Sequence, residues 1–428
     1  MSEKFTKLAQ SLEGVTGPEH VTAGPDISID GLMPAVLIRP ASAEELAECL
    51  IVCAKYDSTV VPTGFMTWLT GGNPLRRADV LLSLERMNRI KDYSPPDLTV
   101  TVEAGLSLDA LNSQTRRKGQ WLPLDPPGSS RASMGAIAAC ASSGALRGGF
   151  GTPRDYVIGM RLAHTDGTES KSGGRVVKNV AGYDMNKLYV GSFGTLAVLT
   201  ELTFKLRPLP ESFQTLIVTS KDSRSLFESA RRLLASYLQP ASALITERAP
   251  EELLASYGSN RALFVRFIES ETTVNHQVDE LMKMLHEESR ATLLSESEAE
   301  NLWSQLADID LLAANAVRLS VPLSMTAEIF DKMLLDLPEC IATADLGAGT
   351  IRLAFEADVD DAIKLIKKLR SDTERAGGSL FIEGAPTTVR READAWGDVG
   401  STESLMKAVK SKFDPQSLLN PGRFVSGI

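Results

Sequence analysis

Trp121-Leu-Pro-Leu-Asp-Pro-Pro-Gly128, Ser133-Met-Gly-Ala-Ile-Ala-Ala-Cys-Ala-Ser-Ser-Gly144, the glycines 148, 149 and 151, and Gly191-Ser-Phe-Gly-Thr195 decide how this chain is read. The second block is built almost wholly of small residues, which let backbone approach backbone or let a flat ligand lie against main chain. The glycine clusters supply bare N–H groups of the kind that cradle phosphate oxygens. Two readings follow from the residues alone: a nucleotide-type site between the loops of one domain, or tight packing joined by ordinary turns.

Working outward, 428 residues make room for about two or three domains. A formal net charge of -10 argues against nucleic acid as a partner, because phosphate-backbone binding needs a basic face. No apolar run is long enough for a membrane span, and the start Met1-Ser-Glu-Lys-Phe lacks the order of a secretory signal. Four scattered cysteines (Cys49, Cys53, Cys140, Cys340) do not make a disulfide framework, so the expected location is cytoplasmic. Cys49 and Cys53 lie one helical turn apart beside Leu46 and Leu50, which reads as helix core rather than a metal pair. The four histidines form no metal-ligand spacing, no cysteine set for an iron–sulfur cluster is present, and no metal is expected.

On the N-terminal side, residues 1–32 read as a helix and a loop. Val36-Leu-Ile-Arg39 is a strand, Ser42-Ala-Glu-Glu45 opens a helix, and Thr59-Val-Val-Pro62 is the next strand. Strand, helix and strand in so short a span predict parallel pairing through a right-handed crossover. The loop Pro62-Thr-Gly-Phe-Met-Thr67, running on to Gly71 and Gly72, is a candidate phosphate cradle or a plain surface loop. It matches neither the dinucleotide fingerprint nor the P-loop. Further strands are predicted at 80–84 and 98–104, a helix begins after Ser107, and a hairpin turns at Asp166-Gly167. In the strand 196–206 the even-numbered apolar residues face one way.

After Arg207-Pro-Leu-Pro210 the pattern changes. Helical stretches at 225–237, 273–287, 299–307, 327–335 and 359–375 alternate with strands near 243–247, 262–268, 316–321, 350–356 and 379–383. Asp358, Asp360 and Asp361 open the longest helix and suit its dipole. The turn-rich tail ending in Asn420-Pro-Gly-Arg423 carries apolar residues and should dock on the body.

Taken jointly, the 62–72 loop, Leu124-Asp-Pro-Pro127 with the small-residue helix and Gly151-Thr-Pro-Arg-Asp155, Val177-Lys-Asn-Val-Ala-Gly-Tyr-Asp184 with Gly191–Thr200, and the Asn420–Arg423 tail resemble the FAD-binding flavoproteins of the vanillyl-alcohol oxidase (PCMH) type. Within that family the likeness is nearest to the E subunit of glycolate oxidase. The implied fold is α+β: a two-subdomain PCMH-type FAD-binding domain (35–209) after an N-terminal segment (1–34), then a ferredoxin-like α+β cap domain (210–405) and a tail (406–428) that docks on the FAD domain.

The resemblance also implies non-covalent FAD. Pro62, Thr63, Gly64, Phe65, Met66 and Thr67 would form the pyrophosphate loop. Asp125, Pro126, Gly135, Ser143 and Gly144 would line the cofactor, with Gly151 and Asp155 beside the flavin. Asn179, Gly182, Asp184, Gly191, Gly194, Thr195 and Val198 complete the set. The family loop usually reads Pro-x-Gly-Gly-Gly-Thr, so Phe65 and Met66 stand where glycines are usual, and Ile-Gly-Gly appears here as Met134-Gly135-Ala136. The histidine-rich motif with which catalytic relatives handle a hydroxy acid has no match here; Arg352, Arg390, Arg391 and Arg423 are unassigned cations, and no catalytic residue is named.

The implied role is an FAD-binding subunit of a glycolate (2-hydroxy acid) oxidase complex. It would stand beside a catalytic flavoprotein subunit and an iron–sulfur subunit, with any membrane association peripheral and made through that complex. The alternatives are a stand-alone FAD-dependent 2-hydroxy acid dehydrogenase, or a scaffold that kept the fold and lost FAD.

Overall fold

The computed structural model describes residues 2–128, 131–175, 182–221, 223–249, 251–257, 259–285, 289–309, 312–337 and 339–428. By contact it divides into a first unit, Met1–Ser143 with Thr152–Pro208 and Asp398–Ile428, and a second, Gly144–Gly151 with Leu209–Gly397.

Among the described residues the first unit holds three sheets, the smallest being the short strands Gln120–Trp121 and Arg207–Pro208 paired antiparallel. One runs in the order Val21–Ala23, Val36–Ile38, Val80–Ser83, Val60–Thr63, the last three strands parallel. The crossover from Val36–Ile38 through the helix Ala43–Lys55 therefore reaches a parallel strand, but not an adjacent one. Val80–Ser83 lies between them. All four of its residues are buried, as suits the middle strand of a covered parallel sheet. The Ser42 hydroxyl caps the crossover helix, accepting from the Glu45 N–H, while Leu46, Cys49, Leu50 and Cys53 face the core.

The second sheet is antiparallel, in the order Ile90–Ser94, Thr99–Glu103, Val198–Lys205, Val157–Ala163, Glu169–Gly173. The Asp166-Gly167 turn joins its last two strands. Val198, Leu202 and Phe204 point into the core, as the alternation requires.

The expected breaks after 34 and 405 are not contact boundaries. The helix Glu3–Thr16 buries Leu8 and Leu12 in the same core as Val36 and Leu46. At the other end the chain rejoins the first unit from Asp398. Gly144–Gly151, expected beside the cofactor, falls in the second unit: the Ser242 hydroxyl donates to the Ala145 carbonyl at 2.9 Å.

The second unit is one eight-stranded antiparallel sheet: Arg290–Leu293, Ser212–Thr219, Arg261–Glu269, Ser242–Glu247, Ile341–Asp345, Thr350–Phe355, Asn315–Ser320, Ser379–Gly384. It is a β-α-β-β-α-β pattern used twice. Helices Ser223–Leu234 and Glu271–Met284 serve the first half, Thr326–Asp336 and Val359–Arg375 the second. In both halves the strands lie in the order fourth, first, third, second. The halves join where Ser242–Glu247 pairs with Ile341–Asp345. Asp358 caps the longest helix, accepting from the Asp361 N–H, so the acidic run is the helix start that the sequence suggested.

Candidate functional site

In the first unit the strand Val60–Thr63 ends in the loop 64–70. The Leu84 N–H donates to the Thr63 carbonyl at 2.8 Å, which ends the ladder. Among the described residues nothing accepts a hydrogen bond from the backbone N–H of Gly64, Phe65, Met66 or Thr67. Four consecutive unused donors on one turn are what an anion-binding nest requires. Met66 takes a left-handed φ of 61°. Its side chain packs against the cluster of Ile29, Leu37, Val61, Leu75, Ala78 and Leu81, while Phe65 stays 42% exposed.

Three further elements meet this loop. The helix Met134–Cys140 is capped by Ser133, whose hydroxyl accepts from the Ala136 N–H. A Cβ built on Gly64 would lie 2.2 Å from that hydroxyl oxygen, so only glycine fits there. In the turn 191–195, Gly191 and Phe193 donate to the carbonyls of Ala138 and Ala139 at 3.0 and 2.9 Å. Phe193 and Gly194 both take left-handed φ, 53° and 63°. The tail supplies Asn420, whose side-chain amide donates to the Phe193 carbonyl at 2.8 Å. Its Oδ1 is buried with no hydrogen-bond partner. Arg423 is buried as well, donating to the Leu69 and Asn73 carbonyls and pairing with Asp30 at 3.0 Å.

Together these residues enclose a cavity of about 100 Å³. That is smaller than the ~300–1,000 Å³ of a site for a whole drug-sized ligand. It suits one segment of an extended cofactor. Pro62, Thr63, Gly64, Phe65, Met66, Thr67, Gly135, Gly194 and Val198 line it.

The other expected residues lie elsewhere. Gly191 and Thr195 flank the lining turn, and the Thr195 hydroxyl is turned back to the Ser192 carbonyl. Asp125, Pro126 and Ser143 are absent from the lining, and Gly144 and Gly151 belong to the second unit. Asp155 forms a capping box with Thr152, a structural use of its carboxylate. Gly182 and Asp184 are exposed, and Asp184 accepts from the Asn186 N–H. Asn179 lies outside the described residues.

The close approach expected at Gly135 comes from Ala104, whose carbonyl accepts the Gly135 N–H at 2.7 Å. Reading from sequence did not name Trp68, Ser133, Ala139, Cys140, Phe193 or Asn420 as lining. For Asn420 a signal was present in the Asn-Pro-Gly-Arg tail. For Phe193 none was, because a bulky residue between glycines does not advertise a left-handed turn. Arg390 is buried and donates to the Ala385 carbonyl, so that cation is structural.

The donor chemistry fits the phosphates of FAD: the unused amides would face a dianionic linker, whereas Asn420 Oδ1, an acceptor, would receive a hydroxyl or N–H of the cofactor. Burial pushes the Cys140 thiol up to about 12, which the Arg423 charge only partly offsets. The Phe65-Met66 departure alters side chains without occupying the amides. Its cost is the left-handed Met66, about 1–2 kcal/mol for a residue with a Cβ. Met66→Gly is therefore expected to tighten FAD binding and raise the melting temperature. A fluorescence titration of the apoprotein checks it, and unchanged affinity would mean that Met66 packing outweighs the strain.

Residues 34–173 match the family described as "FAD binding domain". Over 457 residues the chain is 28% identical to the probable mitochondrial D-lactate dehydrogenase of Danio rerio, covering 97% of this chain and 91% of that one. It is 29% identical to glycolate oxidase subunit GlcE of Escherichia coli, over 78% of this chain and 84% of the relative. The solved structure of p-cresol methylhydroxylase with substrate bound superposes with a TM-score of 0.75 at 16% identity, covering 99% and 97% of the two chains. At that identity the likeness concerns fold.

Proposed function

We propose, from the premise that this chain belongs to the PCMH-type FAD-dependent oxidoreductases and takes FAD as its cofactor, that it serves the oxidation of a short 2-hydroxy acid as the FAD-binding subunit of a glycolate oxidase-type assembly. The run of unused amides at Gly64–Thr67 carries the cofactor half of this reading. Those amides would hold the phosphates of FAD and Asn420 Oδ1 would accept from one of its hydroxyl or N–H groups; FAD supplies two-electron redox chemistry when bound. The likeness to a glycolate oxidase subunit supports the assembly half, with a catalytic flavoprotein subunit and an iron–sulfur subunit as its partners. Three of the four cysteines are buried and the fourth is half-buried, so electrons leaving the flavin would pass to a partner's centre. We read each half of the second unit as ferredoxin-like from its strand order.

A second reading, a dehydrogenase that works alone, is favoured by the fuller coverage of the D-lactate dehydrogenase relative. One experiment separates them. The purified yellow chain is mixed anaerobically with glycolate or D-lactate and its visible spectrum followed. Bleaching only after co-purified partner subunits are added supports the assembly. Bleaching of the chain alone supports the second reading, and no bleaching in either setting overturns both. Among the described residues no helix is long and apolar enough to cross a membrane.

A further inference from the structure

In the first half of the eight-stranded sheet, Ser212–Thr219 and Ser242–Glu247 finish at the end where Arg261–Glu269 and Arg290–Leu293 begin. An open cavity of about 830 Å³ lies there, bordered by residues 219–221, 259–261 and Arg290. That is within the ~300–1,000 Å³ of a small-molecule site. It sits at the far end of Ser242–Glu247 from Ser242, the residue tied to Ala145. The chain has a formal net charge of -10, yet the described residues lining this cavity include Lys221, Arg261 and Arg290 and no Asp or Glu.

Arg261 is held in place. Its Nη1 donates to the Lys221 carbonyl at 3.1 Å and to the Ser223 hydroxyl at 3.0 Å, and its Nε faces Glu247, 3% exposed, at 3.3 Å. Among the described residues Nη2 has no acceptor, so a positioned guanidinium keeps one donor nitrogen unused. Lys221 and Arg290 are exposed, and among the described residues neither cationic group meets a carboxylate or any other acceptor. Their backbones are nonetheless anchored: the Lys221 carbonyl receives Arg261, and the Arg290 carbonyl accepts from the Thr219 hydroxyl at 3.4 Å. Nothing described accepts from the backbone N–H of Lys221 or Asn260 either. Unused donors from three chain segments thus border one cavity, and such a set recognises an anion with several acceptor oxygens.

Charge selects the anion. Three cations against the one carboxylate of Glu247 leave two positive charges. A monocarboxylate would offset one of them. A phosphate monoester carries about −1.5 to −2 at pH 7 and brings three acceptor oxygens. An apolar wall is also present: Ala249, Ala255 and Tyr257 line the cavity, and Tyr257 packs against the cluster of Leu253, Leu254 and Trp303. We propose that this cavity binds a small organic phosphate monoester, its phosphoryl group held by Lys221, Arg261 and Arg290 and its organic part resting on Ala255 and Tyr257. The site stands apart from the flavin and hydroxy-acid chemistry above and does not rest on it.

The test is calorimetric titration of the full-length, FAD-loaded chain with phenyl phosphate, inorganic phosphate and benzoate. Phenyl phosphate is expected to bind one per chain. Inorganic phosphate should bind about 5-fold more weakly, lacking the ring that covers apolar surface. Benzoate, with the ring but a single charge, should bind about 10-fold more weakly. Arg290→Gln and Lys221→Gln should each weaken phenyl phosphate about 10-fold, as loss of a charge-assisted bond implies, and Arg290→Lys should recover part of that. Both side chains are exposed, so the variants should stay folded, which melting curves verify. Arg352→Gln, on a different strand pair, should leave binding within about 2-fold. No binding by the wild-type chain, binding indifferent to both Arg290→Gln and Lys221→Gln, or binding lost with Arg352→Gln overturns the site. Inorganic phosphate bound as tightly as phenyl phosphate overturns the assignment to an ester.

Discussion

Asp414→Ala is expected to cost about 3–5 kcal/mol of stability, and the chain's flavin with it. Asp414 and Lys410 are a buried ion pair, with side chains 0% and 6% exposed and an N–O distance of 2.6 Å. Lys410 also donates to the carbonyls of Thr195 and Leu419 at 2.7 and 2.9 Å. Asp414 accepts the N–H groups of Leu418 and Leu419 at 3.0 and 2.8 Å. One pair thus fastens the Gly191–Thr195 turn to the tail that delivers Asn420. Truncating Asp414 strands a buried ammonium and two amides. The Leu418 carbonyl accepts from Val60 and the Asn420 N–H donates to Val60, so the disturbance passes to the strand that starts the phosphate loop. Urea denaturation and flavin content per chain measure the two effects. Replacing both partners by apolar residues of similar volume should cost less than the single change. A loss below about 1 kcal/mol from Asp414→Ala would show that the tail is held by other contacts.

The second large effect is one of pH. Burial raises the Asp345 carboxyl from 3.8 to about 6, against the favourable pull of two turn amides and of Arg147 and Arg352. A carboxylate with a raised native pKa keeps its proton longer in the fold than in the unfolded chain. Its stabilising contribution is full below about pH 4 and is lost as pH climbs through about 6, which amounts to roughly 3 kcal/mol at 1.36 kcal/mol per unit. Asp345→Asn removes the ionisation. The variant should be more stable than the parent at pH 7 by about that amount, and their difference should shrink toward pH 4. Denaturation curves across that range decide it; parallel curves would mean that Asp345 ionises normally.

Several parts of this molecule were legible without coordinates. The capping residues Ser42, Ser107 and Asp358 sit at their helix starts because a side-chain oxygen three residues before a free amide needs only local chain geometry. The alternation around Leu202 and Phe204 named the core face of its strand, and the Asp166-Gly167 pair named its hairpin. Of the candidate site, the 62–67 loop, Gly135, Gly194 and Val198 do converge on one cavity. Gly144 and Gly151 do not, since motif order along the chain does not reveal which unit a short segment joins; Asp155 stays in the first unit but spends its carboxylate on a helix cap.

By itself the sequence determined what depends on neighbours along the chain: the elements, their caps, the alternation of faces, and turn glycines such as Gly167 where φ turns positive. Tertiary structure alone decided what depends on pairing between distant strands. It placed Val80–Ser83 inside the crossover and set Arg318 against Arg352. It also brought Asn420 to Phe193 across 227 residues. The physical reason is that a strand's faces follow from period-two geometry, whereas its partners follow from burial and loop closure summed over the whole fold.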